Sequence, residues 1–351
     1  MDRQWTSEEA WNWYNSRPYI NGCNFLSGFL KRNDLYLPDK HEEALRIVGK
    51  EVALAAEVGL NSFRMHLPPK DLWEAAPEQT EAYYEDFVAL CDSYGIDIMP
   101  VLFSDCLPSC FSGEDVVGEL PEDDPANWPS SEAYVRAFAE RYKDDPRISI
   151  WNIWNEAGNS KRNTDMLSLP FIKRLFRLLR EINVSQPLTC DCWGLYNQIE
   201  GRYNFEAGLD PIEKEVCDLS DVITFHYYGD LLHTKAYFKY LMERYDRPLI
   251  NTEWGHRPWG SFIPSHLPLF KKYNIGSYFF GFVHGPAPEF DIAKVWEWIS
   301  SDDRIDTKLW MHGIFHADFT PYDQDDIDAL MEMKEILRKE NEERFGKKER
   351  T

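Results

Sequence analysis

Hydrophobic and polar positions along the chain follow two alternating rhythms. Short apolar runs rich in β-branched and aromatic residues predict strands at Tyr19 to Phe25, Asn61 to His66, Asp97 to Phe103, Ile148 to Trp154, Pro187 to Asp191, Val222 to His226, Pro248 to Thr252 and Ile275 to Phe282. Between them, apolar residues recur every three or four positions, as Leu45, Val48, Val52 and Ala55 do within Glu42 to Val58, which is the spacing of a helix with one buried face. Further helices are predicted at Ala82 to Ser93, Glu132 to Tyr142, Phe171 to Ile182, Leu231 to Arg244, Pro264 to Lys272 and Asp325 to Lys339, with a short one around Pro211 to Cys217.

Eight strands with helices between them are the pattern of a parallel sheet closed on itself, a (β/α)₈ (TIM) barrel. An open doubly wound sheet would want a Gly-rich nucleotide turn after the first strand, and the chain has none there. No Pro/Gly/Ser-rich linker or low-complexity tract divides the 351 residues, so residues 1–351 are expected to form one domain. Two long irregular stretches, Ser104 to Pro129 after the third strand and Gly285 to Asp318 after the eighth, would both lie on the barrel face that carries catalysis.

Charge narrows the partners. With 60 acidic against 38 basic residues the formal charge is −22, which repels phosphate backbones and anionic lipid heads, so neither nucleic acid nor a membrane is expected. Aromatic residues reach 15%, with 13 Trp and 18 Tyr; most belong to a core, and a surplus suits the apolar face of a sugar ring. The start Met1 to Glu9 has no basic segment followed by an apolar one, which points to a cytoplasmic protein, or to a secreted one whose leader has been removed. Seven Cys (23, 91, 106, 110, 190, 192 and 217) are expected to be reduced thiols rather than a disulfide frame or a metal site. Oligomeric state is not legible.

The candidate chemistry sits at the strand ends. Trp151-Asn152-Ile153-Trp154-Asn155-Glu156 and Pro248-Leu249-Ile250-Asn251-Thr252-Glu253 each finish a strand with a Glu, 97 residues apart. Glycosidic bond cleavage needs two such carboxylates, one to give a proton to the departing oxygen and one to attack the anomeric carbon. The other strand tips add Asn24, Arg64 with His66, Ser104 with Asp105, Asn155, Trp193, His226 with Tyr228, Trp254, and Phe280 with His284. Trp193, Trp254 and Trp259 are candidates for sugar stacking, and Asp105, Asp191 and Asp230 for binding hydroxyls.

At these residues the chain resembles the clan A retaining glycoside hydrolases, which include the family five cellulases and mannanases. The resemblance covers essentially the whole chain and rests on Arg64, Asn155-Glu156, His226-Tyr227-Tyr228 and Glu253. Trp13-Tyr14, Asn21 to Phe25, Val101 to Cys106, Trp310 to Phe315 and Thr320 to Asp323 look like a bacterial group labelled cellulase-like or xylanase-like. The resemblance implies Glu156 as acid/base and Glu253 as nucleophile. It also implies Asn155 on the sugar 2-hydroxyl, Tyr228 and Arg64 holding the nucleophile, and His226 lining the floor. The chain departs from the pattern where Phe280 stands for the usual Trp of the eighth strand, and where Ser104-Asp105-Cys106 stands for a common His.

The expectation is a retaining β-glycosidase acting by double displacement on glucan, mannan or xylan type saccharides without a cofactor or metal, its carboxyl groups about 5–5.5 Å apart. The alternatives are a sugar-binding barrel without catalysis and a metal-dependent barrel hydrolase.

Overall fold

The computed structural model describes residues 3–104, 122, 124–158, 167–193, 208–286 and 309–346, with Trp193 described by its backbone alone. Most of the two long excursions, including Asp105, Cys106 and Cys110, lies outside the described residues.

The strands are β1 (Asn21–Asn24), β2 (Ser62–His66), β3 (Asp97–Ser104), β4 (Trp151–Asn155), β5 (Leu188–Thr189), β6 (Cys192–Trp193), β7 (Ile223–His226), β8 (Leu249–Trp254) and β9 (Gly276–Phe280). All neighbours are parallel, in the order β5-β4-β3-β2-β1-β9-β8-β7-β6. β5 and β6 are two halves of one stave, the fifth of eight: the first half pairs with β4, the second with β7. Across that seam the Asp221 amide donates to the Leu188 carbonyl at 2.7 Å, and the Thr189 and Thr224 hydroxyls bond at 2.8 Å. These contacts bring the (β/α)₈ barrel close to full closure, as the sequence pattern predicts.

Helices α2 (His41–Glu57), α4 (Pro77–Ser93), α5 (Trp128–Tyr142), α6 (Leu169–Ile182), α7 (Pro211–Leu219), α8 (Leu231–Met242), α9 (Ile263–Lys272) and α10 (Gln324–Phe345) follow successive staves, with a short α3 (Lys70–Ala75) preceding α4. Among the described residues no helix is long and apolar enough to cross a membrane.

The sequence reading missed α1 (Ser7–Asn15). Its N-cap Thr6 and Glu9 form a reciprocal capping box. Ala10 and Tyr14 of this helix pack on Ile20, Met99, Ile150, Val222, Ile250 and Tyr278, so α1 plugs the end of the barrel opposite the strand tips. The five described cysteines, Cys23, Cys91, Cys190, Cys192 and Cys217, are buried free thiols.

At the exit of β8 the register against both neighbours shifts, between Phe225 and His226 on one side and between Asn251 and Trp254 on the other. A bulge of this kind breaks the two-residue alternation of side chains. As a result consecutive residues turn into the barrel: Thr252 donates to Asp191 at 2.8 Å, and Glu253 accepts from Arg64 at 2.8 Å.

Candidate active site

Arg64, the middle residue of β2, is the hub. Its Nη1 donates to Asn24 Oδ1 at 2.6 Å and Glu253 Oε1 at 2.8 Å, and its Nη2 to Asn155 Oδ1 at 2.6 Å and Asp191 Oδ2 at 2.7 Å. The guanidinium thus ties the tips of β1, β4 and β8 and the break in the fifth stave into one layer. Its fork geometry suits several acceptors at fixed angles. Burial works against the charge, but Asp191 and Glu253 outweigh it and raise the Arg64 pKa.

Asp191 is fully buried. Besides Arg64 it accepts from Asn152 Nδ2 at 2.7 Å and Thr252 Oγ1 at 2.8 Å. Burial alone would push its carboxyl up; the Arg64 and His226 charges and the hydrogen bonds from His226 and Asn152 hold it well below the usual carboxylate range.

His226, also fully buried, bridges the two glutamates. Its Nδ1 lies 2.8 Å from Glu156 Oε1 and 3.6 Å from Glu253 Oε2, and its Nε2 lies 3.6 Å from Asp191 Oδ2. Burial favours the neutral ring, but Glu253, Asp191 and the hydrogen bonds to Asp191 and Glu156 overcome it and raise the pKa to about 10. His226 is therefore an imidazolium at neutral pH that donates to Glu156.

One carboxylate oxygen of Glu156, one of Glu253 and a His226 ring nitrogen lie within 4.8 Å of one another. The separation suits direct attack by one carboxylate and is too short for a water molecule to be held between them as inversion requires. The same three donors could hold a cation, but a protonated His226 is not a ligand, which weakens that use at neutral pH.

Both Glu253 oxygens accept hydrogen bonds, from Arg64 and from the Tyr228 hydroxyl at 2.5 Å. Glu156 leaves β4 with φ 52°, in the left-handed region that a non-Gly residue enters only at a cost of about 1–2 kcal/mol. Asn155, just before it, also donates to Ser104 at 3.1 Å.

The structure thus brings Arg64, Asn155, Glu156, His226, Tyr228 and Glu253 together. His66, two residues past Arg64, and Phe280, at the tip of β9, are partly exposed at the same mouth. Burial, followed by the charges of Arg32 and Arg64, holds His66 well below its ordinary pKa, so its ring is neutral.

Three expectations need correction. Trp254 does not face the mouth: past the bulge its side chain turns outward, is fully buried, and packs on His266, Phe270 and Phe279. Asp191 is sealed beneath Arg64 and cannot meet a hydroxyl, and Asp230 caps α8 by accepting from the His233 amide at 3.0 Å. Asp105 and the Trp193 side chain lie outside the described residues, although the Trp193 backbone pairs with His226. Trp259 is partly exposed and stacks on His256 at 4.1 Å.

Sequence reasoning also overlooked Asn152 and Thr252, which share Asp191 with Arg64. A polar residue inside an apolar strand run was the available signal for Asn152; Thr252, between Asn251 and Glu253, carried no such mark.

The family model described as glycosyl hydrolases family 2, TIM barrel domain, matches residues 45–337. No curated protein sequence matches the chain. Among solved structures, an exo-β-1,4-mannosidase from Opitutaceae bacterium strain TAV5 aligns at 15% identity and TM-score 0.61, covering 92% of this chain and 60% of its own. The chain therefore spans less than two thirds of that enzyme's length. A glycoside hydrolase family 5 mannosidase from Rhizomucor miehei aligns at 14% identity and TM-score 0.57, covering 93% and 94%. An endo-1,4-β-D-mannanase from Thermotoga petrophila aligns at 13% identity and TM-score 0.56, covering 91% and 100%. At these identities the likeness is one of fold.

Proposed function

The chain belongs to the family of glycosyl hydrolases described by the family 2 TIM barrel domain, and from that premise we propose that it is a retaining β-glycosidase with Glu253 as nucleophile and Glu156 as acid/base. The observation that carries this reading is the approach of the two carboxylates to within 4.8 Å at the barrel mouth. Glu253, with both oxygens held by donors, attacks the anomeric carbon while Glu156 protonates the departing oxygen. The negative charge on Glu253 opposes a second ionised carboxylate so close by, whereas the His226 imidazolium 2.8 Å away favours one, so the acid step draws on the proton shared along the Glu156–His226 hydrogen bond. Once Glu253 is esterified that charge is gone. Glu156, left as a carboxylate by the proton it gave to the departing oxygen, takes the proton from the water that releases the sugar.

Asn155, oriented by Arg64 and Ser104, reaches the 2-hydroxyl of the ring under attack, and Phe280 offers an apolar face to it. The substrate class is β-linked oligosaccharides of glucan, mannan or xylan type. Mannosides come first, because the mannosidases and the mannanase share the fold.

An aryl β-glycoside series covering mannose, glucose, xylose and galactose, with wild type, Glu156→Ala and Glu253→Ala, tests the reading. Turnover by wild type and loss of about 10³-fold or more in both variants is expected. Near-normal turnover by Glu253→Ala eliminates it as nucleophile, and activity that disappears on chelation and returns with a divalent ion favours the metal-dependent alternative.

A further inference from the structure

We propose that His312 is a substrate-positioning residue of this same site, accepting a hydrogen bond from a hydroxyl of the sugar ring that Glu253 attacks; the inference rests on the glycosidase reading above. His312 comes from the segment after the eighth stave, and its Nδ1 lies 3.0 Å from the carbonyl of Gly255, two residues past Glu253. A carbonyl can only accept, so Nδ1 carries the ring hydrogen, and Nε2, across the ring, keeps a lone pair. Burial lowers the His312 pKa to about 4 against the opposing pull of Gly255 and Glu253, so the ring is a neutral acceptor at neutral pH.

Its position points to the sugar. The His312 ring lies 4.8 Å from Phe280, 5.7 Å from Tyr228 and 5.5 Å from His256, between centroids. Tyr228 is the residue that donates to Glu253. His312 is only partly buried, so it stands at the mouth between the apolar face that would meet the sugar and the tyrosine that holds the nucleophile. Phe280 offers a face without a polar atom, and His312 supplies one beside it. The Nη donors of Arg64 and the Tyr228 hydroxyl are already committed to protein acceptors and Arg64 Nε is buried, whereas Nε2 of His312 has no hydrogen-bond partner among the described residues.

The test pairs variants with monodeoxy analogues of the aryl β-glycoside that wild type cleaves fastest. His312→Phe keeps the ring contacts and removes the acceptor. It should lose about tenfold in kcat/KM on the parent glycoside, and His312→Gln, which restores an acceptor near Nε2, should recover most of that loss. Removing the contacted hydroxyl should cost wild type about tenfold and cost His312→Phe nothing further, the non-additivity expected of partners in one hydrogen bond. Should the Phe variant not fold, His312→Asn, whose amide can still donate to Gly255 but ends short of the sugar, runs the same cycle. Parent activity within about twofold of wild type, or an undiminished penalty on every deoxy analogue, overturns the proposal. A wild type that cleaves none of the glycosides overturns the hydrolase reading and this proposal with it.

Discussion

Asp191→Asn tests the layer beneath the two glutamates. The substitution conserves shape. With its carbonyl oxygen in the place of Oδ2, the new amide still accepts from Arg64 and Asn152, and its nitrogen can donate to Thr252, whose own hydrogen can go to the Phe225 carbonyl at 3.2 Å. What is lost is one buried negative charge. Two unit charges about 4 Å apart at an effective dielectric near 20 attract by about 4 kcal/mol. Glu253 remains on Arg64 and takes over part of this, so the net destabilisation is expected at about 2–4 kcal/mol, at or just below the cost of breaking a buried pair from one side.

His226 loses a countercharge in the same step, and its pKa falls. Urea unfolding monitored by Trp fluorescence measures the first effect, and kcat/KM, expected to drop more than about tenfold, measures the second. Asp191→Ala should cost more in stability, because Arg64 and Asn152 then lose an acceptor in a dry interior. If Asp191→Asn unfolds within about 0.5 kcal/mol of wild type and turns over normally, the Arg64 layer does not organise the site.

Two pH effects follow. Glu51, fully buried on α2, accepts from the Ser27 hydroxyl at 2.6 Å and the Gly28 amide at 2.8 Å and so holds the segment after β1; burial outweighs these bonds and raises its pKa to about 7. The folded state therefore binds this proton more tightly than the unfolded state, and stability should fall by about 3 kcal/mol as pH rises from roughly 4.5 through 7, a decline that Glu51→Gln removes in urea titrations at each pH. His226 is also raised, to about 10, so its contribution is fully present below roughly pH 6.5 and lost as pH climbs to about 10. His226→Asn should flatten stability across that alkaline window, measured the same way, and an unchanged slope would contradict the charged assignment.

The strand tips were legible because most of the apolar runs end in polar residues, and a closed parallel barrel gathers all eight strand ends at one mouth. Arg64, Asn155, Glu156, His226, Tyr228 and Glu253 all follow from that rule and stand together. Trp254 escaped it because alternation along one strand cannot reveal a bulge, which depends on the register of the two neighbouring strands. Asp191 closes the predicted fifth strand, but the break between Leu188–Thr189 and Cys192–Trp193 turns it under Arg64 instead of toward the mouth. The helix at Ser7–Asn15 was signalled by the Thr6 and Glu9 spacing, a local cue that the strand-and-helix rhythm of the barrel did not require. His312 reaches the site from a stretch with no periodicity, and only its distance to Phe280 and Tyr228 reveals it.

Two glutamates within 4.8 Å of each other should cleave by double displacement, and the configuration of the released sugar decides it. In proton NMR of the sugar freed from the best aryl β-glycoside, recorded before mutarotation, the β-anomer should appear first and the α-anomer grow in only as the sugar equilibrates. First appearance of the α-anomer would mean that water, not Glu253, attacks the sugar, and would rule out double displacement.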